Sequence, residues 1–397
     1  MNPPPGPRPL LGLMSTWVYA LLPANLVPAI IGRLVGELGV SLEVAGATAT
    51  AMTIANGAAV LGARRLVERG HRPATARVGV AVLVGASVVG ALFPEPAVVM
   101  AAIVVGGLGS GLVIAAATAA VAASEDPDRA TTLVIIVNRV VVAAAFLLLP
   151  LAGGGMRELL LLLAAPGVIA FLGAAWLQPP PAAPAADPAS GAPRSPRPNR
   201  VAWALALAFA LWTVTDEGVY GMLEILIRTN APETGDGLLS LMFAASVFAG
   251  LAGAVCVPLL HRFFSRPLLL AVFLGVSAVA KLVISAGSGA VPLAVGGIVW
   301  GFAFGALIPL VFGLAARLAA DGSASVLANG TYVVGVALGP LVATQLAAVG
   351  GTGALAAVLT AVAVAAGSAV VVAAVRAEKA ETRPAPPAPQ HPEEIAP

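Results

Sequence analysis

Charge is what this chain has least of. Only 10% of its 397 residues are Asp, Glu, Lys or Arg, against about 25% in a typical soluble domain. A water-soluble protein of this length needs far more charge to cover its surface, which excludes the soluble domains that length alone would suggest. Cysteine is nearly absent: Cys256 stands alone in an apolar run, so no intramolecular disulfide forms and the thiol reads as a small buried hydrophobe. The three histidines, His71, His261 and His391, fall between the apolar stretches or near the C-terminus. With no Cys/His cluster at ligand spacing, neither a metal nor another cofactor is expected. The net charge of +2 is scattered rather than gathered on one face, so no nucleic-acid partner is expected. A nucleophile elbow and a nucleotide-binding loop are missing too, which argues against an enzyme. A channel would need a repeated filter or a ring-forming acid motif, and the chain has neither.

What the chain does have is long apolar runs. Apolar residues make up 59% of it and the mean hydropathy is +0.96. About 20 helical residues cross a bilayer core. Stretches of that length lie near 11–34, 44–62, 76–93, 96–121, 131–151 and 158–177, and again near 201–227, 238–259, 267–286, 291–315, 325–348 and 353–375. Backbone groups in lipid must be satisfied internally, and the ten-residue alternation of a barrel is missing, so helices are required. The fold expected is all-α and integral to the membrane: 12 transmembrane helices in two pseudo-symmetric six-helix bundles. An N-terminal bundle covers 1–177, a Pro/Ala-rich linker 178–200, a C-terminal bundle 201–375 and a disordered tail 376–397. The first stretch is longer than a secretory h-region and reads as a retained span.

Arginines orient the chain. With the N-terminus inside, the clusters Arg64 to Arg77, Arg194 to Arg200 and Arg262 to Arg266 all face the cytoplasm, as do Arg317 and Arg376. Only Arg33, Arg157 and Arg228 fall outside, each at a helix end. This asymmetry predicts a multi-pass protein of the cytoplasmic membrane with the linker and both termini inside. The halves also look like copies. Ile103 to Ser110 in the fourth stretch lies opposite Ile298 to Gly305 in the tenth, at an offset of 195 residues.

Twelve stretches arranged six plus six, with a basic central linker, resemble the major facilitator superfamily over nearly the whole chain. The loop Gly62-Ala63-Arg64-Arg65-Leu66-Val67-Glu68-Arg69-Gly70-His71-Arg72 is similar to that superfamily's signature loop. Its glycines are one residue further apart than usual, and Glu68 stands one place out of step. The resemblance implies that Gly62, Glu68, Arg69, Gly70 and Arg72 form a cytoplasmic gate loop. The alternative is that these arginines only enforce topology. Drug exporters of the superfamily usually carry an arginine in the fourth span; Ala101 to Gly111 has glycines but no arginine, which weakens that subgroup.

Charges retained inside the stretches carry the chemistry, because each costs about 2.5–3.5 kcal/mol at the bilayer centre on insertion scales. They are Arg139 in the fifth stretch, Asp216 and Glu217 in the seventh, and Lys281 in the ninth. Either they mark an ion or substrate path or they neutralise one another as buried pairs. The resemblance places the seventh span on a central cavity, where Asp216 and Glu217 are the candidates for proton coupling. Burial favours the neutral acid and a nearby arginine the carboxylate, and alternating access changes both. Arg139 would displace that proton or bind an anionic group. For Lys281 a structural partner or snorkelling is expected over substrate contact. Thr213, Asp216 and Tyr220 share one helical face, with Glu217 about 100° away. Further cavity candidates are Trp17, Tyr19, Asn25, Asn56, Trp300, Asn329 and Tyr332, with helix packing the competing reading for each. The prolines Pro23 and Pro28 would bend the first span.

The function expected is a secondary active transporter of a small organic solute, monomeric, working by alternating access with protons as the coupling ion. Export by proton antiport is preferred, and uptake by proton symport of a small, including anionic, solute is the alternative. A non-transporting enzyme or receptor on the same scaffold ranks behind both.

Overall fold

A computed structural model describes residues 8–122, 124, 126–177, 200–319 and 323–381. The linker expected at 178–200 falls outside the described residues apart from Arg200, and so does most of the tail.

The described chain is almost entirely helical. The first span is two helices, α1 (Arg8–Asn25) and α2 (Val27–Gly36), bent by 42° at Leu26. Pro28 sits in the first turn of α2, where its missing N–H is harmless and its ring forbids a straight continuation. Four single helices follow: α3 (Leu42–Glu68), α4 (Arg72–Leu92), α5 (Pro96–Ala122) and α6 (Pro127–Leu151). The sixth span is broken into α7 (Met156–Ala164) and α8 (Gly167–Gly173), which ends in a short 3₁₀ turn. In the second half come α9 (Arg200–Asn230), α10 (Asp236–Leu260), α11 (Arg266–Ala286), α12 (Ala290–Leu318) and α13 (Ser323–Glu381).

The last helix folds back on itself at Gly351, whose φ of +68° suits only glycine. Ala343 and Leu359, equally far from that turn in sequence, both pack against Gly218 of α9. Two crossings therefore share α13, and its second arm runs to Glu381, past the boundary expected at 375. Nine helices among the described residues are long and apolar enough to cross a membrane. The bent α1–α2 pair, the second arm of α13 and the acid-bearing α9 bring the spans to twelve.

Local chemistry sets the helix ends. The Ser41 hydroxyl and the Asp126 carboxylate accept backbone N–H groups at the starts of α3 and α6. Gly70, at φ +92°, ends α3 while His71 N–H reaches back to the Leu66 carbonyl. Within the spans, Thr48, Thr53, Thr118 and Thr344 donate to carbonyls four residues earlier, which keeps these four hydroxyls paired in hydrocarbon. Large apolar side chains such as Leu61, Val279 and Val349 cover the outside, as a lipid-facing surface requires.

Close helix contacts repeat between the halves. A Cβ on Gly107 or Gly111 of α5 would lie 2.3 and 2.2 Å from the Met52 and Asn56 carbonyl oxygens of α3. On Gly301 or Gly305 of α12 it would lie 2.3 and 1.8 Å from the Ser246 and Gly250 carbonyl oxygens of α10. The four pairs superpose at one constant offset, 194 residues, one fewer than the sequence alignment gave. The α3–α5 and α10–α12 pairs are thus the same packing unit, built where only glycine lets backbones meet.

Apolar packing shows where the halves touch. One buried cluster joins Ile30, Ile31, Leu34 and Phe146 of the first half to Leu223, Ile227 and Phe243 of the second. At the opposite end, which carries the arginine-rich connections, packing separates into two clusters. Leu13, Val67, Ala117 and Val134 belong to one half, and Phe209, Leu270, Leu310 and Ala374 to the other. The halves are fused at one end and parted at the other.

Overpacking a glycine contact tests the architecture. Gly305→Val is expected to lower the unfolding temperature of the detergent-purified protein sharply, since a backbone carbonyl must move. Gly275→Val, where nothing lies within 4 Å of the added Cβ, is the control. Overpacking typically costs about 1–3 kcal/mol, so equal melting of the two variants would remove the packing unit.

Candidate functional site

Between the parted halves lies a cavity of about 380 Å³. The first half lines it with Asn25 from the end of α1, Thr53 and Asn56 from α3, Ser110 from α5, and Asn138 and Arg139 from α6. The second half contributes Glu217 and Tyr220 from α9, Phe243 and Ser246 from α10, Trp300 and Phe304 from α12, and Tyr332 from α13. The first wall is therefore rich in amides and hydroxyls, while the second is mainly aromatic.

The four intramembrane charges fall into two different situations. Asp216 and Lys281 are fully buried and paired with each other, away from the cavity lining. Lys281 Nζ also donates to the Thr215 hydroxyl at 2.7 Å and lies 5.3 Å from the Trp212 ring centre. The second carboxylate oxygen of Asp216 accepts the Trp300 indole N–H at 2.7 Å. Glu217 and Arg139, by contrast, both line the cavity, from opposite halves. Neither makes an ion pair or a hydrogen bond with another described residue.

The aromatic wall is stacked. Tyr220 and Trp300 lie 5.6 Å apart between ring centres and are nearly parallel, and Phe304 follows Trp300 at 5.7 Å. Tyr332 stacks on Phe209 at 5.4 Å. On the other wall Asn56 Nδ2 donates to the Ser110 hydroxyl at 2.8 Å, which donates to the Ala20 carbonyl at 2.6 Å. Asn138 is buried and its Nδ2 has no hydrogen-bond partner.

Below the cavity, at the fused end, polar bonds join the halves. Tyr220 donates its hydroxyl proton to the carbonyl of Asn25, the last residue of α1 before the bend at Leu26. Two turns further along, the Arg33 guanidinium grips Glu224 and also donates to the Gly154 carbonyl at 2.8 Å. Arg228 adds a bond to Glu224 at 3.0 Å, as the i+4 spacing predicts, and one to Asp236 at 2.7 Å. The seal is thus an ion network capping an apolar cluster.

Several expected cavity residues lie elsewhere. Tyr19 is buried against Val84 and Gly167, its hydroxyl unpaired. Trp17 packs into the apolar cluster of the first half. Thr213 is buried against Gly335 and bonds the Phe209 carbonyl at 2.8 Å. Asn329 is exposed near the start of α13. Asp216 faces Lys281 rather than the cavity, and Lys281 has in it the structural partner expected for it. For Thr213 and Asp216 the reason is helix rotation. On α9 the face carrying Glu217 and Tyr220 points inward, so the neighbouring face carrying Thr213 and Asp216 points into the bundle. Asn25, Asn56, Glu217, Arg139, Tyr220, Trp300 and Tyr332 are brought together as expected. Asn138, Ser110, Phe243, Ser246 and Phe304 were not singled out. Asn138 could have been, because it adjoins Arg139 in an otherwise apolar run. In the gate loop, Glu68 pairs at 2.7 Å with Arg64 of its own helix, and Arg72 is buried at the start of α4.

A family model described as Major Facilitator Superfamily matches residues 12–326. No curated protein matches the sequence. Among solved structures, the human organic anion transporter MFSD10 (TETRAN) matches 93% of this chain and 100% of its own, at 17% identity and TM-score 0.61. A mutant of the nucleoside transporter NupG matches over 94% and 99%, at 12% identity and TM-score 0.67. A bacterial homologue of the human lysosomal transporter Spinster, inward-facing and unoccupied, matches over 94% and 96%, at 14% identity and TM-score 0.62. At these identities the likeness is one of fold.

Breaking the Asp216–Lys281 pair on one side leaves a buried charge alone, which typically costs about 3–5 kcal/mol. Asp216→Asn and Lys281→Met are each expected to lower the unfolding temperature in detergent strongly, and the double variant to recover most of the loss. Additive losses in the double variant would show that the two side chains do not form one closed unit.

Proposed function

The chain belongs to the Major Facilitator Superfamily and is a multi-pass membrane transporter, and from that premise we propose that it carries a small organic anion together with a proton. Arg139 takes the anion, Glu217 takes the proton, and the cavity alternates between the two sides of the membrane. The six-helix units 1–177 and 201–375 move as bodies joined by the linker 178–200. Both termini lie in the cytoplasm, so the state described above opens inward. The loop from Glu68 to Arg72 closes that end in the opposite state.

One observation carries this reading: an unpaired acid and an unpaired base face one cavity from opposite halves. With Glu217 ionised, the empty cavity holds one negative and one positive charge and is neutral. With Glu217 protonated and an anion on Arg139, it is neutral again. Each of these two states can pass the hydrocarbon barrier, whereas a singly loaded carrier holds a net charge and is penalised. Proton and anion therefore cross together.

A second reading, export by proton antiport, was the one the sequence put first. Tyr220, Trp300 and Phe304 line the cavity beside Glu217, and aromatic faces attract organic cations. A cation there would compete with the proton for Glu217, but Arg139 then leaves the loaded cavity positive. Symport is the better fit.

Proteoliposomes holding a trapped pH dye separate the two. Suitable probes are benzenesulfonate and butanesulfonate, strong-acid anions with no neutral form to leak, and phenyltrimethylammonium as the cation. Symport predicts that an anion drives protons into the lumen with it, and that an inward proton gradient accumulates the anion. Glu217→Gln is expected to abolish that accumulation while preserving anion-for-anion exchange, because the loaded variant is still neutral and the empty one is not. Protons moving against the cation would establish antiport instead, and unchanged accumulation in Glu217→Gln would remove Glu217 as the coupling site.

A further inference from the structure

We infer that the cavity is built for a planar aromatic carboxylate, oriented with its acid group toward Asn138 and Arg139 and its ring toward Trp300. This rests on the carrier reading above and specifies its substrate class.

The acid end is argued from donors that lack acceptors. Arg139 presents a planar fork suited to a two-oxygen acceptor, and no described residue occupies it. Asn138, next in the chain, is 5% exposed, and its Nδ2 finds no acceptor. A buried amide donor without a partner is costly, and a site built to bond a ligand group leaves such a donor when empty. Both side chains stand on the same wall of the cavity. A carboxylate, with its several lone pairs, can accept from both at once.

The ring end is argued from a wall made rigid in advance. Trp300 cannot rotate freely, because its indole N–H is held at 2.7 Å by Asp216, itself clamped by Lys281. Tyr220 is stacked on Trp300 and tied through its hydroxyl to the Asn25 carbonyl. Flat surfaces fixed this way select flat ligands, since offset-stacked rings gain contact that a puckered ring of equal size does not. Neither clamp reaches Glu217, which stays available for the proton.

Calorimetric binding to the purified full-length protein in detergent, below neutral pH, tests this with three matched probes. They are 2-naphthoate, its neutral isostere 2-naphthamide, and the saturated decahydro-2-naphthoate. Naphthoate is expected to bind at least ~10-fold more tightly than the amide, as loss of charge-assisted bonds implies, and about 5-fold more tightly than the saturated acid. Arg139→Gln should erase the acid-over-amide preference and Arg139→Lys should restore part of it. Asn138→Ala should weaken naphthoate several-fold without lowering the unfolding temperature of the ligand-free protein, because the amide has no partner to lose. Phe304→Leu should narrow the preference for the flat ring and leave the acid preference intact. An amide bound as tightly as the acid, or an acid preference that survives Arg139→Gln, overturns the acid end. Equal binding of the flat and saturated acids overturns the ring end. If no naphthalene probe binds while butanesulfonate still moves with protons, the substrate class falls and the carrier stands.

Discussion

A charge inside hydrocarbon must be answered by another group, and that constraint decides which of the four intramembrane charges is free to act. Asp216 and Lys281 answer each other, with Thr215 and Trp300 taking the remaining hydrogen-bond capacity. Replacing such a pair with apolar residues is often neutral or better for stability, so its presence calls for a use beyond cohesion. Here the use is visible: the carboxylate fixes the indole that forms the cavity wall. Glu217, the next residue along, points about 100° away into a space where Arg139, the counter-charge among the described lining residues, stands on the other half of the molecule. Adjacent carboxylates on one helix thus live in different chemistries, one closed and one open.

Contacts within and between the halves are built from different physics. Inside each half, α3–α5 and α10–α12 bring backbone against backbone at the four repeated glycines, contacts that cannot slide without steric penalty. Across the halves, the seal consists of Arg33, Glu224 and Arg228 with the Tyr220–Asn25 bond. The Arg33–Glu224 pair is buried while the seam is closed, so it separates only as the seam opens and water replaces each lost partner. A rigid interior and a separable seam are what two rocking bodies require.

Hydropathy made the twelve spans and their approximate ends legible, because the bilayer imposes length and apolarity on every crossing. Pro28 announced the bend in α1–α2, and the i+4 spacing of Glu224 and Arg228 matches the bond between them. Rotation of a helix about its own axis was not legible in so apolar a sequence. With leucine, alanine and valine on all sides, the amphipathic stripe that normally marks the inward face is missing. The sequence therefore points to Thr213, Asp216, Glu217 and Tyr220 alike, and of these Glu217 and Tyr220 line the cavity. Tyr19 and Trp17 misled for a related reason, since an aromatic in a membrane helix suits packing as well as recognition. The offset of 195 was misjudged by one residue because glycine is frequent enough to match in several registers; the carbonyls that the glycines touch fix it at 194.

Tyr220 belongs to the site and the seal at once. Its ring stacks on Trp300 in the cavity wall, and its hydroxyl holds the Asn25 carbonyl at the bend of the first span. One helical turn on, Glu224 projects from the same face of α9 and receives Arg33 from α2. A ligand that changes where the Tyr220 ring rests therefore acts on the same helical face that holds the halves together. It can do so only through differential contact in the open and closed states, because equal contact in both shifts no population. Asn25 closes α1 where the first span bends at Leu26, so the tyrosine holds that span at its bend, across the seam between the halves.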